Sequence, residues 1–216
     1  MKQSIAALFD LDGVIIDTEP QYDIFWRNIG EVYHLGIVDF ERVIKGTTLP
    51  AIMSTYFSHL PPEEQARIEQ ANHDYESQLE IIPIAGAPEF LAELKQHHVK
   101  LGLVTSSSDK KLQSVFEKMF LKPYFDTIVS ADRITHGKPN PMCYLLAAKD
   151  LDVPPERCFV FEDSFHGIQS GKDAGMKVVG LATTNSKASI ANDVIAAIPD
   201  FTHFHLKDLL GLGDFG

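Results

Sequence analysis

Short apolar runs that alternate with helical stretches constrain this chain more than any other feature. Residues 100–104, 127–130, 158–161 and 178–181 read as strands, and residues 109–119, 140–151 and 164–174 between them read as helices. A helix at 88–97 precedes the series, a helix at 188–195 follows it, and 201–204 is expected as a last edge strand. Strands at this spacing do not form hairpins; each returns through a helix and lies parallel to its predecessor, with a right-handed crossover. Residues 5–9, Ile-Ala-Ala-Leu-Phe, form one more apolar run of the kind buried on both faces of such a sheet.

From Glu19 to Glu80 the strand pattern stops. Phe25, Trp26, Ile29, Val32 and Tyr33 recur at helical spacing, with Asp23, Arg27, Asn28 and Glu31 largely off the stripe. Further helices are expected at 39–45 and after Thr48-Leu49-Pro50, the latter with Ile52, Met53, Tyr56 and Phe57 inward. A polar helix opens at Pro61-Pro62-Glu63-Glu64, where proline and acids suit a first turn, and runs to about Leu79. Residues 81–88, with two prolines and Gly86, read as the return linker. The expected fold class is therefore α/β, a Rossmann-like parallel sheet with helices on both faces. Residues 1–15 and 84–216 would form this core domain, and 16–83 a small all-helical domain inserted after the first strand.

Composition limits the partners. A hydrophobic content of 44% is ordinary for a globular protein. The formal net charge of −11, with a pI near 5.2, argues against a nucleic-acid binder, which presents a basic face. No run of about 18 apolar residues is present, and the N-terminus lacks the basic and apolar regions of a signal peptide. No membrane span is expected, and the chain reads as cytoplasmic, a monomer or weak homodimer. Cys143 and Cys158 have no metal-type spacing and read as buried free thiols.

In an open parallel sheet the carboxyl ends of the strands share one edge, where ligands bind. Asp10 and Asp12 follow the first strand two residues apart, a spacing that aims both side chains the same way along extended chain, and Gly13 permits a sharp backbone departure. Thr105-Ser106-Ser107-Ser108 follow the second; their hydroxyl and N–H groups suit phosphate oxygens at the start of a helix. Gly137-Lys138-Pro139-Asn140-Pro141 places a lysine on a loop, and Glu162-Asp163-Ser164 follow the strand at 158–161. Taken singly, these also fit an Asp-Gly turn, a helix cap, a surface lysine and an N-capping acid pair. Gathered at one edge, Asp10, Asp12, Glu162 and Asp163 would repel one another. A hard cation with oxygen ligands relieves that repulsion, Mg²⁺ above others, and Lys138 offsets it further.

Asp10-Leu11-Asp12-Gly13-Val14, Thr105 closing a strand, Lys138 in Gly-Lys-Pro-Asn-Pro and Glu162-Asp163 in Phe-Glu-Asp-Ser, in this order, resemble the four motifs of the haloacid dehalogenase-like (HAD) superfamily. The resemblance covers essentially the whole chain, because the helical insert is similar to that superfamily's small cap, as in β-phosphoglucomutase and its phosphatase relatives. It implies that Asp10 is a nucleophile that becomes an aspartyl phosphate. It implies that Asp12 carries protons, first to the leaving alcohol and later from the attacking water, with a pKa raised by neighbouring negative charge. The implied Mg²⁺ ligands are the Asp10 and Asp163 carboxylates and the Asp12 main-chain carbonyl, with Glu162 close by. Thr105, the Ser106 backbone and Lys138 would hold the phosphoryl group, and Asn140 is a further substrate-binding candidate. The insert would close as a lid, with Lys45 and Gly46 as substrate contacts or, equally, an ordinary helix stop.

The expected function is a Mg²⁺-dependent phosphatase acting on a small phosphorylated metabolite, a sugar phosphate or similar. The complete Asp-x-Asp and the acidic fourth motif separate it from dehalogenases. A β-phosphoglucomutase-like sugar phosphomutase is the alternative, although the cap arginine, lysine and histidine of the mutase fall at Leu49, Ala71 and Tyr22, which weakens binding of a second phosphate. An inorganic pyrophosphatase and a phosphorylated receiver domain are further alternatives; Asp12 and the long insert speak against the receiver.

Overall fold

The computed structural model describes residues 4–213, so the outermost residues of the expected core span, 1–3 and 214–216, lie outside the described residues. Six strands form one parallel sheet: β1 (Ala6–Phe9), β2 (Lys100–Val104), β3 (Thr127–Val129), β4 (Cys158–Glu162), β5 (Lys177–Leu181) and β6 (Ala196–Ile198). Their spatial order is β3-β2-β1-β4-β5-β6. The chain runs outward from β1 to β3, then restarts at β4 beside β1, with Phe9 opposite Phe161, and runs outward the other way. The carboxyl ends of β1 and β4 therefore flank the topological switch point, the crevice where such sheets take ligands.

Between β1 and β2 lie α1 (Glu19–Val32), α2 (Phe40–Val43), α3 (Leu49–Ile52) and α4 (Pro62–Gln78), with a π-helical segment, Met53–Phe57, continuing α3. Phe25, Trp26, Ile29, Phe40, Phe57 and Ile68 pack into a cluster that draws only on this insert. Two expectations shift here. The buried stripe of α1 follows Tyr22, Phe25, Trp26, Ile29 and Tyr33, and Val32, about 100° from Tyr33 around the helix, is 59% exposed. The helix expected at 39–45 is only Phe40–Val43, because Asp39 adopts a left-handed conformation that starts it late. The chain enters and leaves the insert through two paired segments. Asp17 N–H donates to the Ile82 carbonyl at 2.7 Å and Ile84 N–H to the Ile15 carbonyl at 2.9 Å, around an antiparallel bridge of Ile16 with Pro83.

The remaining helices are α5 (Ala87–Gln96), α6 (Asp109–Lys118), α7 (Met142–Leu151), α8 (Phe165–Asp173), α9 (Lys187–Ile190) and α10 (Leu206–Gly211). Strand alternation sends Ala7 and Phe9 of β1 to one face, against α5, α6 and α10, and Ala6 and Leu8 to the other, against α7, α8 and α9. The sheet is thus covered on both faces, as the apolar strands require. Near the C-terminus the sequence reading fails twice. The helix expected at 188–195 is only α9, and the last strand is Ala196–Ile198 rather than 201–204. In a strand, residues 201 and 204 would face opposite sides. Instead both rings join one aromatic cluster, with Phe201 5.2 Å from Phe90 and Phe204 5.5 Å from it.

Candidate active site

β1 carries Asp10 to the carboxyl edge of the sheet, where its N–H donates to the Phe161 carbonyl at 3.1 Å. Below it Phe9 stacks on Phe161 with ring centroids 4.5 Å apart, which fixes the two strand ends against each other. Asp10 Oδ1 accepts from Lys138 Nζ at 2.8 Å, and the same ammonium donates to Glu162 Oε1 at 2.5 Å and to the Val104 carbonyl at 3.2 Å. The lysine and all three acceptors are buried. Glu162 has no free lone pair to offer readily. Its Oε1 also accepts from the Tyr144 hydroxyl at 2.8 Å, and its Oε2 from Asp163 N–H at 3.1 Å, Ser164 N–H at 3.3 Å and the Ser164 hydroxyl at 3.1 Å. Its role in this arrangement is to anchor Lys138. Ser164, not the acid pair, caps α8, accepting from Gly167 N–H at 3.0 Å.

Asp163 is held from the other side. Its Oδ2 accepts from the Thr184 hydroxyl and its carbonyl from Asn185 Nδ2 at 2.8 Å. The approach of Asp163 to the Asp10-Asp12 turn explains Gly13: the residue has φ +75°, and a Cβ there would overlap Asp163 Oδ2.

Asp10, Glu162 and Asp163 each offer a carboxylate oxygen, all within 4.8 Å of one another. Asp10 Oδ2 and Asp163 Oδ1 have no hydrogen-bond partner among the described residues. Burial, with Glu162 and Asp12 nearby, pushes the Asp10 carboxyl up to about 7 against the pull of Lys138. Burial and the neighbouring carboxylates likewise hold Asp163 well above the usual carboxylate range. Two buried carboxylates, each with an open oxygen and more negative charge around it than Lys138 balances, are a donor set for a hard divalent cation. The residues fit Mg²⁺.

The Asp12 side chain does not join that set. Lys111 Nζ donates to both its oxygens, at 2.7 and 2.6 Å, the Ser107 hydroxyl donates at 3.0 Å, and the Thr18 hydroxyl also reaches it. Burial alone would raise the Asp12 pKa, but Lys111 and these hydroxyls outweigh it and hold the carboxyl below its ordinary value. This reverses the raised pKa expected from the sequence. Beyond Asp10 the chain turns, with the Leu11 carbonyl accepting from Ile15 N–H at 2.8 Å and Ile16 N–H at 3.0 Å; Asp10 and Asp12 line the same cavity, and each carboxylate meets its own lysine.

A cavity of about 440 Å³ lies between the sheet edge and the insert, and Asp10, Asp12, Thr105, Ser106, Lys45 and Gly46 all line it. Thr105 is buried; its N–H bonds the Val129 carbonyl at 2.9 Å and its Oγ1 accepts from Ser107 N–H at 3.0 Å. The Ser106 hydroxyl donates to the Gly46 carbonyl at 2.7 Å, and a His166 ring nitrogen lies 2.8 Å from the Lys45 carbonyl, so the insert's loop rests on the core at two points. The Lys45 ammonium is paired with Glu19 and, at 2.7 Å, with Asp23. Asn140 is placed elsewhere. It is exposed, does not line the cavity, and its Oδ1 accepts from Met142 N–H at 3.0 Å at the start of α7.

Tyr144, Thr184, Lys111, Thr18 and Asn185 are contributors that were not foreseen. Lys111 alone left a trace in the sequence. It is a lysine in the first turn of α6, where the helix dipole disfavours a cation, beside the buried Leu112 and Val115.

The chain matches the family model of haloacid dehalogenase-like hydrolases over residues 7–181. It belongs to that family of hydrolases. A phosphorylated carbohydrates phosphatase of Thermotoga maritima is 34% identical to it, over 95% of this chain and 99% of that protein. The β-phosphoglucomutase of Bacillus subtilis is 30% identical over 82% of each chain. Among solved structures, a hydrolase from Pseudomonas syringae has a TM-score of 0.82 at 20% identity, covering 97% of this chain and 100% of that one, a likeness of fold.

Proposed function

We propose that this protein is a Mg²⁺-dependent phosphatase that hydrolyses a small phosphorylated metabolite through an aspartyl phosphate on Asp10. The observation that carries the reading is Asp10 itself: it lines the cavity, one of its oxygens is held by Lys138, and the other has no hydrogen-bond partner among the described residues. A buried carboxylate with an open oxygen at the cavity suits a nucleophile. The Asp10 oxygen not engaged by the cation attacks phosphorus, the bond from phosphorus to the leaving oxygen breaks, and water then displaces Asp10 from the acyl phosphate. Bound Mg²⁺, held by Asp10 and Asp163, would supply charge neutralisation for the phosphoryl oxygens. Lys138, whose three donors are held by Asp10, Glu162 and the Val104 carbonyl, would add positive charge beside the site, and the backbone at Ser106 would hold the same oxygens, positioning being most of what phosphoryl transfer needs.

Asp12, ionised by its contact with Lys111, is set to take the proton of the attacking water. To give a proton to the leaving oxygen in the first half-reaction it must first be released from Lys111 and take up a proton from solvent; that proton passes to the leaving oxygen, and Asp12, ionised again, then takes one from the attacking water. Residues 16–83 serve as the lid, with the paired segments at Ile16 and Pro83 as the hinge.

A mutase reading draws on the β-phosphoglucomutase relative. Among the described residues Leu49 and Tyr22 line the cavity and no arginine does, so a second phosphate would lack the cationic grip a mutase needs; hydrolysis is favoured. The cavity is also larger than inorganic pyrophosphate requires. The test is Asp10→Asn with p-nitrophenyl phosphate: turnover should vanish with the fold intact, and retained activity would remove Asp10 as nucleophile. A screen of phosphorylated sugars, nucleotides, glycolate and pyrophosphate, read as free phosphate, separates hydrolysis from mere transfer.

A further inference from the structure

Between β5 and α9 the chain turns through Thr183-Thr184-Asn185, and each of these side chains reaches one of the two acidic turns of the site. The Thr183 hydroxyl donates to the Gly13 carbonyl at 2.6 Å, the Thr184 hydroxyl to Asp163 Oδ2, and Asn185 Nδ2 to the Asp163 carbonyl at 2.8 Å. The segment is itself anchored at both ends. Ala182 N–H donates to the Ile198 carbonyl of β6 at 2.8 Å, and the Ser186 hydroxyl caps α9 by accepting from Ser189 N–H at 3.2 Å. None of the three side chains lines the cavity, so they act on the acidic turns and not on a substrate.

The consequence falls on Asp163. Its Oδ2 is covered twice: Thr184 bonds it, and a Cβ built on Gly13 would lie 2.1 Å from it, so the Gly13 backbone packs on the same oxygen. Asp163 is buried, and turning its carboxylate to present both oxygens would break the Thr184 bond inside the protein. Asp10 is held alike, with Oδ1 on Lys138 Nζ and Oδ2 open. Glu162 adds no open oxygen, since both of its own are engaged. A cation therefore meets two carboxylates with one oxygen each.

That count discriminates between ions. Mg²⁺ binds at about 2.1 Å in a near-ideal octahedron, through one or two carboxylates with water completing the shell. Ca²⁺ binds at about 2.4 Å, takes roughly six to eight oxygens, and accepts carboxylates that ligate through both oxygens. We propose that Thr184 is a positioning residue that confines Asp163 to a single metal-facing oxygen and so selects Mg²⁺ over Ca²⁺. This rests on the divalent-metal part of the proposed function and adds to it the residue that sets which ion is held.

The experiment is calorimetric titration of Mg²⁺ and of Ca²⁺ into the metal-free full chain at one fixed pH, for the wild type, Thr184→Val, Thr184→Ala and Thr184→Ser. The wild type should bind Mg²⁺ the more tightly. Thr184→Val keeps the shape and removes the donor, and the ratio of the Kd for Ca²⁺ to the Kd for Mg²⁺ should fall about tenfold or more, the scale on which groups behind the ligands tune a metal site. Thr184→Ser restores a hydroxyl and should bring the ratio back toward the wild-type value; Thr184→Ala is the second donor-free variant should valine prevent folding. Proton competition at Asp163 weighs on both ions alike and cancels in the ratio. A wild type that binds Ca²⁺ as tightly as Mg²⁺ overturns the proposal and leaves the phosphatase reading standing. So does a folded donor-free variant that keeps the wild-type ratio, including one that loses affinity for both ions equally, and so does a serine variant that behaves like valine. If the wild type binds neither ion, the magnesium reading of the site falls and this proposal with it.

Discussion

Lys111 Nζ lies 2.6 and 2.7 Å from the two carboxylate oxygens of Asp12, and the same ammonium sits 4.5 Å from the centre of the Tyr22 ring. One buried lysine of the sheet domain thus fixes the charge of a site carboxylate and touches the insert. Lys111→Met keeps the length and removes the charge. We expect a loss of about 3 kcal/mol in stability, because a buried carboxylate is left unpaired. The ionisation governed by Asp12 should move to higher pH, since the cation favouring the charged form is gone. Denaturant titration and the pH–rate profile with p-nitrophenyl phosphate check the two parts; an unshifted profile would show that Lys111 does not set the charge of Asp12.

Tyr144 is fully buried and its hydroxyl donates to Glu162 Oε1 at 2.8 Å, while its ring lies 5.2 Å from Lys138 Nζ. Tyr144→Phe keeps the ring and deletes one hydrogen bond to an ionised acceptor. The expected cost is about 2 kcal/mol, seen as a lower urea midpoint with an unchanged slope. A midpoint equal to the wild type would mean that Glu162 is satisfied without the hydroxyl.

Gly13→Ala tests the close approach of Asp163. The new methyl would occupy the position of Asp163 Oδ2, and the residue would have to hold φ +75°. Far-UV circular dichroism should stay close to the wild type while Mg²⁺ affinity falls by about 10- to 100-fold, the range seen when groups that orient a ligand are displaced. Undiminished Mg²⁺ binding would exclude Asp163 from the metal site.

Metal and pH are linked through Asp10. Its carboxyl is pushed up to about 7, so without metal it carries a proton over part of the neutral range, and that proton must leave for a cation to bind. Mg²⁺ affinity should fall as pH drops below about 7, and binding should release protons. Calorimetry in two buffers of different ionisation enthalpy measures the release; identical heats in both would contradict it. EDTA should silence turnover, and hydrolysis that survives EDTA would defeat the magnesium assignment.

Strand ends were legible in the sequence because each apolar run stops at a charged or hydroxylated residue: Asp10, Thr105 and Glu162 stand where parallel strands were expected to end. Lys111, Tyr144 and Thr184 were not legible because their partners are remote. Lys111 meets Asp12 across 99 residues, and no local pattern encodes such a contact. The C-terminal misreading has a different cause. Phe201 and Phe204 have strong strand propensity, yet packing against Phe90 decided their conformation. The pKa of Asp12 was misjudged for the first reason: the neighbouring acids stand close in sequence motifs, while the lysine that outweighs them does not.

The pairing of Ile15–Asp17 with 82–84 has a consequence beyond the hinge. Since the chain leaves the sheet and comes back at adjacent points, β1 and α5 are joined as if by a short turn, whatever lies beyond that gate. Lengthening the excursion adds closure entropy only logarithmically. The sheet edge can therefore keep one set of reacting groups while the segment above it grows, shrinks or is exchanged, which separates the chemistry of this chain from its choice of substrate.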